Sequence, residues 1–232
     1  MTVRPRCSPI VCLITDRRRL PDPGGINLVR LSAAAAAAGI DLLQIREPDL
    51  HDHDLLTLVR QVQAAVAGTA AAVLVNERTD VALAAGAHGV HLRSTSVSAA
   101  RVRTLVPEGF VIGRSVHDVA ELSAEAPAAD LVVMGTVFRT ASKPGVERTV
   151  GVEGLAAVCR ASPVPVLAVG GVRTDNVADV AAAGAAGFAA IGLFADLLGA
   201  TPAGRLEAEF TRLLTSLRQR FGAAADRRGG AA

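Results

Sequence analysis

The chain has 232 residues and carries 24 Lys and Arg against 22 Asp and Glu. The resulting charge of +2 is too small, and its longest basic block (Arg17-Arg18-Arg19) too short, to imply nucleic acid. Hydrophobic residues make up 50%, with no Trp or Tyr and only 6 Phe, so the core is aliphatic, which suits helices packed on a buried parallel sheet.

Short apolar runs alternate with helical patterns from end to end. Strands are predicted at Ile10–Thr15, Asp41–Arg46, Ala71–Val75, Gly89–Leu92, Phe110–Gly113, Asp130–Met134, Val164–Val169 and Gly187–Gly192. Helices are predicted at 26–38, 52–67, 78–85, 97–105, 117–126, 151–161, 174–183 and 202–221, with Asp52, Thr174 and Thr201 as capping residues and Pro202 at a first helical position. Gly86 and Gly184 sit at matching helix–Gly–strand junctions, where glycine ends a helix in the left-handed conformation. Eight strands with intervening helices specify α/β class and a single (β/α)8 TIM barrel over residues 1–221, with a disordered tail at 222–232. The alanine run Ala33 to Ala38 falls far short of the roughly 20 apolar residues of a membrane span. Cys7, Cys12 and Cys159 lack metal-ligand spacing, and no secretory leader is visible, so the expectation is a cytoplasmic protein with reduced thiols.

In such a barrel the working residues stand where strands end. Gln44 and Arg46 share one face of strand two, and a guanidinium there needs an anion: Glu47, another internal acid, or a ligand phosphate or carboxylate. Gly170-Gly171 after strand seven and Gly192 after strand eight let backbone approach a phosphate, or else make tight turns. The loop Phe138 to Gly145 carries Lys143, the only lysine of the chain; it either closes over a ligand or lies open in solvent. Of the five histidines, His51 and His53 flank a helix start, His88 lies at a junction away from the strand ends, and His91 ends strand four as a buried, hydrogen-bonded residue. His117, just beyond strand five, is the candidate acid/base, with a helix start as the plain alternative.

These segments resemble the thiamine phosphate synthase / TenI superfamily. The resemblance runs from Ile10 to about Leu217. It is carried by Leu13-Ile14-Thr15-Asp16, Gln44-Ile45-Arg46-Glu47, Val75-Asn76, Ala87-His88-Gly89-Val90-His91-Leu92, Ile112-Gly113-Arg114-Ser115-Val116-His117, Thr140-Ala141-Ser142-Lys143, Val169-Gly170-Gly171-Val172 and Ala183-Gly184-Ala185. It implies one of two reactions. The synthase couples a pyrimidine pyrophosphate to a thiazole phosphate and uses Mg²⁺, held by an Asp after the strand-three Asn and by an Asp after strand four. Here those positions are Glu77 and Ser96, Pro48 replaces a pyrophosphate-binding Lys, and Arg93 replaces a Gly. The TenI-like thiazole tautomerases aromatise a carboxythiazole phosphate without metal, and their essential histidine matches His117.

The expected reaction is therefore the tautomerisation, with His117 catalytic, no cofactor and no metal. Its substrate would be a small phosphorylated thiazole, bound by Gln44, Arg46, Asn76, Arg93, Ser115, Thr140, Ser142 and Lys143, with Gly170, Gly171 and Gly192 on the phosphate. The alternative is the Mg²⁺-dependent synthase, and a second alternative is a phosphate-ligand sensor without turnover. Neither nucleic acid nor membrane is an expected partner, and a homo-oligomer is compatible with the sequence.

Overall fold

The structure is a computed structural model describing residues 8–21, 25–140, 149–202 and 204–229. Eight parallel strands close into a barrel in sequence order, with helices between them. The strands are β1 (Ile10–Ile14), β2 (Leu42–Ile45), β3 (Ala72–Asn76), β4 (Gly89–Leu92), β5 (Val111–Val116), β6 (Leu131–Gly135), β7 (Val166–Val169) and β8 (Gly187–Ala190). The helices are α1 (Ile26–Ala37), α2 (Asp52–Ala65), α3 (Thr79–Ala85), α4 (Ala99–Arg103), α5 (Val119–Glu125), α6 (Gly151–Ala161), α7 (Val177–Ala182), α8 (Gly192–Ala200) and α9 (Leu206–Gly229). Among the described residues, no helix is long and apolar enough to cross a membrane.

By contacts the chain forms two compact units, one of residues 12–91 with 191–214, the other of 1–11, 92–190 and 215–232. In the first, β2 pairs with β1 and β3, placing Leu42 beside Cys12 and Ala72. Helix α2 shows the physics of the helical layer: Leu55, Leu58, Val59 and Val62 recur at helical spacing and are all buried, while Asp52 and Asp54 occupy the first turn, where carboxylates oppose the helix dipole. Burying each of those side chains contributes roughly 1.5–3 kcal/mol. Gly86 ends α3 at φ 70, as the Gly–strand junction predicts. In the second unit β5, β6, β7 and β8 pair in turn, and Phe188 meets Phe221 at 6.5 Å between ring centroids.

Three expectations need correction. Strand β5 continues to Val116, so Arg114 and Ser115 lie within it rather than beyond it. Helix α8 was not predicted: Gly192 opens it, and Phe194 stacks on Phe210 at 6.0 Å to bury its apolar face. Helix α9 starts at Leu206 instead of at Pro202 and continues through Gly222 to Gly229 rather than giving way to a disordered tail. Alanine-rich sequence after Phe221 favours helix, and buried Phe221 and Ala224 tie it down.

Candidate functional site

In the first unit, the ends of β1 and β2 are joined by a buried carboxylate. Glu47 is 3% exposed and accepts the Thr15 hydroxyl at 2.6 Å. Both its oxygens also accept the Arg17 backbone N–H at 3.1 Å, and the Arg17 guanidinium stands 3.4 Å away. Burial pushes the Glu47 carboxyl above its usual range, and the bonds from Thr15 and Arg17 pull it back part of the way. Arg17 reaches on to Asp49 with two parallel bonds of 2.8 and 2.9 Å, which holds the Asp49 carboxyl below its usual range.

Thr15 Oγ1 in turn accepts the Arg46 backbone N–H at 2.9 Å. Glu47 is therefore engaged by Thr15 and Arg17, and is not the partner of the Arg46 guanidinium that residue type alone allowed. Beside it, Gln44 is 3% exposed and donates its amide to Asn76 Oδ1 at 2.9 Å, so those two predicted binding residues do meet.

Glu77, after β3, has φ 68, and its N–H is bonded to the His91 carbonyl at 2.8 Å. His91 is buried at 3% exposure, as expected. Gly192 opens α8 close to Arg19: a Cβ at that position would stand 3.1 Å from the guanidinium, which also meets Asp196 at 3.3 Å. Arg19 is not among the site residues expected from the sequence, where its one signal is membership of the Arg17–Arg19 block.

In the second unit, His117 directly precedes α5. Asp118 caps that helix by accepting the Glu121 N–H at 2.8 Å. The Glu121 carboxylate reaches back to the His117 N–H at 2.9 Å and to its ring Nδ1 at 3.0 Å. His117 thus stands at a helix start, with its ring against the Glu121 carboxylate. Facing a carboxylate, Nδ1 carries the proton of the neutral ring, which leaves Nε2 as the acceptor.

Gly170 and Gly171 have φ 96 and 63. A Cβ at Gly170 would lie 2.5 Å from Thr136 Cγ2, and one at Gly171 would overlap the Arg139 carbonyl and Phe138. The turn itself therefore demands glycine at both positions, whether or not an anion binds there. Arg93 is exposed, while Ser115 and Thr140 are half-buried. Ser142 and Lys143 lie outside the described residues.

The donor set that would meet Mg²⁺ is sparse. Among the described residues no group of three or more His, Cys, Asp or Glu side chains is placed to hold a metal ion. In the first unit Glu77 offers one carboxylate, which fits Mg²⁺ only as an ion held mostly by substrate phosphate and water.

Residues 11–194 match the family model described as thiamine monophosphate synthase. Among curated proteins, the thiamine-phosphate synthase of Methanoculleus marisnigri is 38% identical over 195 residues, 84% of this chain and 88% of that one. The thiamine-phosphate synthase of Clostridium novyi is 34% identical over 180 residues, 77% of this chain and 87% of that one. Among solved structures, the thiamine phosphate pyrophosphorylase of Pyrococcus furiosus superposes with a TM-score of 0.75 at 27% identity, covering 93% of this chain and 98% of that one. These names favour a transferase over the isomerase expected from the sequence, and none of them supports a sensor.

Proposed function

This chain belongs to the thiamine monophosphate synthase family, and on that premise we propose that it forms thiamine phosphate by coupling a pyrimidine pyrophosphate to a thiazole phosphate. The observation that carries this reading is the identity of 38% to a thiamine-phosphate synthase over 84% of the chain. In the first unit, the Gln44–Asn76 bond leaves the Gln44 carbonyl and the Asn76 amino group as an acceptor and donor for a heterocycle. Arg46, fixed through Thr15, and Arg19, beside the first turn of α8, supply positive charge for phosphate groups. Glu77 would hold Mg²⁺ arriving with the pyrophosphate, where the ion neutralises charge on the leaving group.

A second reading rests on the His117–Glu121 pair: metal-free aromatisation of a carboxythiazole phosphate tautomer, with His117 Nε2 moving the proton. Ser96 in place of a carboxylate and Pro48 in place of a lysine support this reading.

One pair of assays separates the two. With both coupling substrates, thiamine phosphate should form in Mg²⁺ and stop in EDTA, and H117A should keep turnover within about threefold. If the tautomer is instead aromatised in EDTA, and H117A loses roughly a hundredfold or more of that rate, the second reading replaces the first.

A further inference from the structure

Arg114, within β5, is 4% exposed and sits among acceptors. Its guanidinium donates to three carbonyls of the segment between β4 and α4: Ser94 at 3.1 Å, Val97 at 2.7 Å, and Ser96 at 3.4 and 3.5 Å. Its charge is met by Glu125 of α5 at 3.2 Å, and the other Glu125 oxygen accepts the Ala99 N–H at the start of α4 at 2.8 Å. Ser98 caps α4 from the same segment, accepting the Arg101 N–H at 3.3 Å.

The guanidinium thus does for this segment what a bound cation does for an oxygen-lined loop. It gathers carbonyls and one carboxylate around a fixed positive charge. The pattern is planar and many-pronged, which an ammonium cannot reproduce. It also faces Ser96 inward by its carbonyl, at the position where the family resemblance places a metal carboxylate.

We propose that Arg114 is a positioning residue, which with Glu125 holds residues 93–98 in the shape that presents Arg93 and Ser96 at the end of β4, so that this segment is ordered without a divalent cation. This rests on the proposed function, with Arg93 as the residue of this segment that meets the phosphorylated substrate.

The test is amide hydrogen exchange across residues 93–99 of the full chain, in wild type, R114A and R114K, with Mg²⁺ and with EDTA, alongside steady-state kinetics. Wild-type protection should be the same in Mg²⁺ and in EDTA. R114A should exchange this segment about tenfold faster or more, a loss that free guanidinium partly reverses and that R114K does not repair. KM for the phosphorylated substrate should rise about tenfold while kcat stays within about threefold, because the segment shapes binding rather than the reacting groups. If R114A does not fold, E125Q, which keeps the carbonyl bonds, should show the same changes at smaller size.

Protection that needs Mg²⁺, or an exchange rate that neither variant alters, overturns the proposal. Should the functional reading be wrong instead, neither assay would show turnover, while R114A would still loosen residues 93–99.

Discussion

Two polar networks at strand ends solve the same problem with opposite sign. In the first unit the buried ion is an anion, Glu47, surrounded by the Thr15 hydroxyl and the N–H groups of Arg17. In the second it is a cation, Arg114, surrounded by the carbonyls of Ser94, Ser96 and Val97 and by Glu125. Backbone polarity does the solvating in both: N–H groups turn toward the carboxylate, and C=O groups toward the guanidinium. The difference lies in reach. Glu47 is short and ties two adjacent strand ends, whereas Arg114 is long and organises a whole connecting segment. A charge taken out of water must be paired and hydrogen-bonded, so each network fixes its neighbourhood in one arrangement.

The largest expected effect breaks the anionic network outright. Glu47→Ala leaves the Thr15 hydroxyl and the Arg17 N–H without their acceptor in a buried place, and should lower stability by about 2–4 kcal/mol, a fall of several degrees or more in Tm. Circular dichroism melts of the variant and the wild type check this. A change within 1–2 °C, the size of an ordinary surface substitution, would show that Glu47 does not carry the strand ends.

A smaller effect concerns pH and tests the sign of the burial argument. Because burial raises the Glu47 carboxyl, the folded chain holds that proton more tightly than the unfolded one. As pH rises from the ordinary glutamate value of about 4.3 through the raised folded value, the unfolded state sheds its proton first, and wild type loses stability relative to Glu47→Gln. Above the folded value the difference is constant. Denaturant unfolding of both proteins across that window should give a difference curve that falls with pH. A curve that rises would mean that Arg17 and Thr15 outweigh burial.

How much of this was legible in the sequence depends on reach along the chain. The alternation of apolar runs with helical patterns was enough for the barrel, because strand and helix periods are local. Gly86 and Gly184 were legible for the same reason, and both have positive φ. Helix α8 was missed because its apolar sequence, Gly192 to Ala200, lacks a polar face and a recognisable cap. Its burial depends on Phe210, which lies beyond it in the chain.

At the site, His117 was singled out by its place after a strand, while its partner Glu121 is one helical turn further on and was not named. Glu47 was noticed only as a possible partner for Arg46, because nothing local tells which of two guanidinia a carboxylate will choose. Arg114 and Arg19 were undervalued for a related reason: an arginine in a chain full of arginines carries no signal until its acceptors are known.

The smallest expected effect sharpens the contrast between buried and exposed ends of one network. Arg17 bridges Glu47, whose side chain is fully buried, and Asp49, whose side chain is 42% exposed. The bond to Asp49 is the shorter and is bidentate, so contact geometry alone would rank it first. Solvent reverses that ranking. Water can replace Asp49 as a partner for the guanidinium, but it cannot reach the N–H and hydroxyl groups that point at Glu47. Asp49→Ala should therefore cost under about 1 kcal/mol, and the cost should shrink further in high salt. Chemical denaturation at low and high ionic strength measures both. A loss as large as that of Glu47→Ala would mean that the network is held from its exposed end, and that the buried carboxylate is a passenger.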